Sequence, residues 1–152
     1  MLENSERRFY TESDINLPNY TWTEYPVELK GNGMTTTDRN TAGRFQIIGT
    51  TVFWHVDVNF KDVAFNNTAV MYITVPFPAA VHTDSSSGAL HHISNGKTYP
   101  LRAHYEQYDR VVQLFHPNNQ GEDTPVAYNF PVTISTNDYF HICGWYEAVF
   151  ND

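Results

Sequence analysis

The chain has 152 residues and a mass of 17.5 kDa, a size that suits one domain with one core. Hydrophobic residues make up 41% and aromatics 15%, enough bulky apolar surface to exclude a wholly disordered chain. Nine Lys and Arg stand against seventeen Asp and Glu, for a formal charge of −8, and no basic run tracks a phosphate backbone, which excludes duplex DNA as a partner. The single cysteine, Cys143, excludes an intrachain disulfide. The stretch from Met1 to Arg7 lacks the apolar segment of a secretion signal, and no apolar run approaches the ~20 residues of a membrane-spanning helix.

Residues 1–19 are polar, interrupted by Pro18 and without a sustained period, so they read as an N-terminal arm carrying the apolar groups Phe9, Tyr10, Ile15 and Leu17. Residues 20–152 read as a β domain. Tyr20 to Tyr25 alternates aromatic and polar side chains until Pro26 and is the first expected strand. Residues 30–42 are a polar, glycine-containing connection. Arg44 to Ile48 and Thr51 to Phe60 are strands joined by the turn Gly49-Thr50, hence an antiparallel hairpin. In the second of these, Val52, Trp54, Val56, Val58 and Phe60 share one face while Phe53, His55 and Asp57 share the other. Further strands are expected at Ala69–Val75, Thr98–Tyr105, Arg110–Phe115, part of Val126–Ile134, and Tyr139–Val149, with the polar run Val81–Ala89 read as a flexible loop. The expected fold is all-β: an antiparallel β-sandwich or jelly roll of about eight strands behind an extended arm.

The chemistry-bearing residues form no compact motif. His55 and Asp57 share a strand face at i, i+2, whereas His91 and His92 point to opposite faces, so no metal site is expected. The nucleophile elbow, the phosphate-binding glycine loop and the zinc-protease helix motif are all absent from the sequence. Glu106 and Asp109, three residues apart, are the nearest thing to a glycosidase pair and read as solvated carboxylates. Cys143, between Ile142 and Gly144, reads as a small buried hydrophobe. A non-enzymatic protein without a cofactor is expected.

Four segments carry a family resemblance: Tyr20-Thr21-Trp22, the hairpin from Gly43 to Trp54, Thr74-Val75-Pro76-Phe77-Pro78, and Phe140-His141-Ile142-Cys143-Gly144-Trp145-Tyr146. Together they resemble the small β-sandwich head domains of phage tail-fibre and related virion proteins. The resemblance covers roughly residues 20 to 149 and implies a homotrimer on the surface of a virion, made in the host cytoplasm. Fibre heads end long stems, while this chain has a short arm; the expectation is therefore a stemless knob or capsid decoration (cement) protein. Arg7, Arg8, Phe9, Tyr10, Ile15 and Leu17 are its candidate assembly contacts with capsid or tail proteins. The alternative is a receptor-binding module for host surface glycans, with Ser85, His104, Tyr105 and Tyr108 as candidate contacts. Neither reading involves nucleic acid or membrane insertion.

Overall fold

A computed structural model describes residues 21–31, 39–65 and 70–150. The arm residues Arg7, Arg8, Phe9, Tyr10, Ile15 and Leu17, the start of the first expected strand, most of the 30–42 connection and the turn at Asn66-Asn67 lie outside them.

The described chain is all-β and antiparallel throughout, as expected, with ten strands rather than eight. They are β1 (Thr23–Tyr25), β2 (Leu29–Lys30), β3 (Thr41–Ile48), β4 (Thr51–Asn59), β5 (Tyr72–Thr74), β6 (Thr83–His92), β7 (Lys97–Tyr105), β8 (Val111–Pro117), β9 (Asp123–Pro125) and β10 (Tyr139–Glu147). Their order in the sheet is β1-β3-β4-β10-β6-β7-β8-β5-β2, with β9 beside β8.

That order forces the sheet to curl. Laid flat, the path from β1 to β2 crosses eight inter-strand spacings of about 4.8 Å, roughly 38 Å in all. Yet only Pro26, Val27 and Glu28 connect these two strands, which gives at most roughly 14 Å of reach from Tyr25 to Leu29. The two ends of the path therefore come together, in an all-β fold of the sandwich or jelly-roll type. The Thr74 N–H donates to the Glu28 carbonyl, the Glu28 N–H to the Thr74 hydroxyl and the Thr41 hydroxyl to the Val27 carbonyl, and these bonds fix the link.

The hairpin β3–β4 forms where the sequence places it, and Gly49 takes the left-handed conformation (φ 65°) that its tight turn requires. The expected core face of β4 is buried from Val52 through Phe60. Each such side chain contributes about 1.5–3 kcal/mol of hydrophobic stabilisation. Across the core, Trp54, Tyr105 and Tyr146 pack ring against ring, and the Trp54 indole donates to the hydroxyls of Tyr105 and Ser86.

Three expectations are corrected. The polar run Val81–Ala89 is largely strand: β6 lies between β10 and β7, with Ser86 fully buried. Small residues are required at two of its inner positions: Ser86 lies against Trp54 and Tyr105, and a Cβ on Gly88 would stand 1.7 Å from the His141 carbonyl oxygen. The segment from Val126 to Ile134 makes only isolated bridges, Val70 to Ala127 and Ala127 to Phe130, and the strand there is the preceding β9. Cys143 is exposed, because it alternates with the buried Ile142 on β10 and so faces outward.

Candidate functional site

The outer face of β1, β3, β4 and β10 is built by the pairing register. Arg44 lies opposite Glu24 on one side and His55 on the other, and His55 opposite Cys143; one step along, Gln46 pairs with Phe53 and Phe53 with Trp145. All of these but Glu24 line a cleft of about 420 Å³, to which Trp22 contributes from just before β1. The Arg44 guanidinium carbon stands 5.1 Å from the centre of a Trp22 ring, a cation–π arrangement that holds both side chains along the wall. Trp22 and Trp145 are nevertheless 44% and 47% exposed, and Ile48 is also open to solvent. Aromatic faces beside the donors Arg44, Gln46 and His55 give the cleft stacking and hydrogen-bonding capacity together.

The same face continues into a row of stacked rings. His55 stacks on His141 at 6.5 Å between centroids, His141 on His91 at 5.3 Å, and His91 on Tyr139 at 4.6 Å. His55 Nε2 meets Asp57 Oδ2 at 3.0 Å, the pairing their i, i+2 spacing allows. His91 faces out and His92 is buried, as the strand period requires.

Behind the sheet face, the buried His92 links the buried Asp138 to the exposed Ser94. Its Nδ1 lies 2.6 Å from Asp138 Oδ2, and its Nε2 lies 2.7 Å from the Ser94 hydroxyl. Asp138 also accepts from the backbone N–H groups of Ile93 and Ser135 and from the Ser135 hydroxyl. Burial disfavours its charge, but these hydrogen bonds prevail and hold the carboxyl below the usual aspartate range. The bond order is that of an Asp–His–Ser triad. Here it staples the β6–β7 turn to the turn that leads into β10; Asp138 also lines a second cleft with Asn59, Asp62 and Asn137, whereas neither His92 nor Ser94 does.

The residues read from sequence as receptor contacts do not gather into one surface. Tyr105 is 1% exposed, with its hydroxyl bonded to Trp54 and Ser86, so it offers no stacking face and that assignment is corrected. The period of β7 explains this, since Leu101, Ala103 and Tyr105 all point inward. Ser85 sits within β6 and donates to the Trp145 carbonyl. Tyr108 is 68% exposed, in a turn where its φ is 65°. His104 is half-buried between Asp84, 2.7 Å from Nδ1, and Glu106, 3.1 Å from Nε2. Burial opposes its cationic form, but the hydrogen bonds and charges of Asp84 and Glu106 more than offset this and raise its pKa.

The cleft residues Trp22, Arg44, Phe53 and Trp145 were not read as a site from the sequence. The available signal was that Trp145 and Tyr146 adjoin on one strand, which makes both faces of β10 aromatic where a solvated outer face is the rule. The chain matches no protein-family model, no curated protein and no solved structure.

Proposed function

We propose that the chain is a non-enzymatic structural protein of a bacteriophage particle, homotrimeric and displayed on the virion exterior as a capsid decoration protein or short knob. The observation that carries this reading is the outer face of β1, β3, β4 and β10, which leaves Trp22, Ile48 and Trp145 exposed around one cleft and Tyr139 exposed further along β10. A sheet face in free contact with water is normally solvated by polar residues, and a group of exposed rings marks a surface that another protein covers. The segments that carry the family resemblance supply the hairpin β3–β4, the rim after β5 and the strand β10.

Cryo-electron microscopy of the intact particle tests this reading. Density for the chain on the capsid or at the tail, with association lost on Trp22→Ser and Trp145→Ser, is the expected result. A chain that is absent from purified particles overturns it. Deletion of residues 1–17 separately tests the arm as the assembly contact.

A second reading, recognition of a host surface glycan, is favoured by the donors Arg44, Gln46 and His55 set among aromatic rings in the cleft. Glycan-array binding that Trp145→Ala abolishes supports it. Binding to no glycan removes it.

A further inference from the structure

We propose that His82, His104 and Glu106 form a binding site for a divalent first-row transition ion, Zn²⁺ being the probe of choice, with Asp84 orienting His104. His104 and Glu106 are two residues apart at the end of β7, and the β6–β7 pairing brings His82, some twenty residues earlier, beside them. Thr83 lies opposite Tyr105, so His82 and Glu106, each one residue beyond that pair, emerge side by side at the same end of the ladder. A register shift between Thr83 and Ser86 then places Asp84 and Ser85 against the single residue His104. This is a β-bulge, a device that redirects side chains at the end of a pairing.

The donor atoms are already close to coordination geometry. One ligand atom from each of the three residues lies within 4.8 Å of the others. His82 Nδ1 is 3.0 Å from Glu106 Oε2, and His104 Nε2 is 3.1 Å from Glu106 Oε1. Metal–ligand distances near 2.0–2.1 Å place tetrahedral donors about 3.3 Å apart, so side-chain rotation that draws the donors in from their 4.8 Å limit lets an ion sit among them. The two imidazole rings are stacked with their planes 21° apart, so they stand side by side.

Asp84 is what separates this cluster from a chance meeting of surface charges. Its carboxylate lies 2.7 Å from His104 Nδ1, which fixes the proton on that nitrogen and turns Nε2 toward His82 and Glu106. Carboxylate–histidine–metal arrangements use this partner to set the tautomer and orientation of the ligand. The flanking backbone is also fixed, because Tyr108 N–H donates to the Ala79 carbonyl and the Gln107 amide to the Ala80 carbonyl. Ligation takes His104 as the neutral imidazole with its proton on Nδ1, and any proton on Nε2 leaves to solvent as the ion enters. Two imidazoles and one carboxylate leave the fourth tetrahedral position for water.

Isothermal titration of tag-free, chelator-treated protein with Zn²⁺ tests the site, with thermal unfolding alongside. One equivalent binds per chain, and the melting temperature rises with ion concentration. His82→Ala and Glu106→Gln each abolish that equivalent, and His82 is exposed enough for its replacement to leave the fold intact. Asp84→Asn weakens binding roughly 10- to 100-fold without removing a ligand. His141→Gln, in the separate row of stacked rings, leaves binding unchanged. The proposal fails if the unaltered protein binds no Zn²⁺, or if binding survives both His82→Ala and Glu106→Gln. An Asp84→Asn protein that binds as tightly as the parent overturns the role given to Asp84.

Discussion

The Tyr25 hydroxyl donates to the Thr74 carbonyl at 3.0 Å, and this bond joins β1, at one end of the sheet path, to β5, next to the other end. Tyr25 also packs edge-on against Phe45, so its ring is held on both sides of the seam. Tyr25→Phe keeps the packing and removes only the bond. It lowers unfolding stability by about 1 kcal/mol, read as a shift of the urea midpoint at unchanged slope. An unchanged midpoint means that the backbone link alone holds the seam.

Two glycines separate conformational from steric demand. Gly49 has a positive φ with open space around its missing Cβ, so Gly49→Ala costs about 1 kcal/mol through backbone strain alone. At Gly88 a Cβ meets the His141 backbone, which cannot retreat without parting β6 from β10. Gly88→Ala is therefore the more damaging substitution by several-fold, measured by soluble yield and by denaturant unfolding of whatever folds.

Acid sensitivity follows from Asp138. A carboxyl whose pKa is lowered in the folded state contributes stability that is fully present above the unfolded value, about 3.9, and is lost as pH falls through the lowered folded value. Unfolding free energy accordingly drops below about pH 4. Asp138→Asn flattens that acid limb while costing about 2 kcal/mol at neutral pH, because His92 loses its charged partner. An acid limb that is the same in both proteins assigns the loss to other carboxylates.

The Asp138–His92–Ser94 relay gives the non-enzymatic reading a direct check. A fluorophosphonate probe leaves Ser94 unmodified in the folded protein, since Asp138 is committed to the turns it staples and Ser94 does not line the cleft that Asp138 borders. Stoichiometric labelling of Ser94, read by mass spectrometry, reverses that expectation.

The sequence was most legible where one face of a strand is apolar and the other is not. The period-two pattern of β4 and the glycine turn before it correspond closely to the structure, from the buried Val52–Phe60 face to the left-handed Gly49. It was least legible at β6. Ser85-Ser86-Ser87-Gly88 has the composition of a loop, and its strand conformation comes from pairing with β10 and β7, where Trp54 and Tyr105 meet Ser86 and the His141 backbone meets Gly88. Tyr105 was misread for a related reason: a tyrosine among polar neighbours resembles a surface residue unless the period of its strand is followed through Leu101 and Ala103. The cluster of His82, His104 and Glu106 depends on a bulge and a pairing across some twenty residues, neither of which local sequence encodes.

The place of β10 in the sheet bears on how the chain acquires its fold during synthesis. This strand is the last described and sits between β4 and β6, so the backbone N–H and C=O groups on one edge of β4 have no permanent partner until residues 139–147 have emerged. Contacts of such long sequence separation slow folding and leave strand edges open to wrong partners in the meantime. Nascent chains cut short before Tyr139 are consequently the species most prone to aggregate, and the final strand acts as the commitment step for the whole molecule.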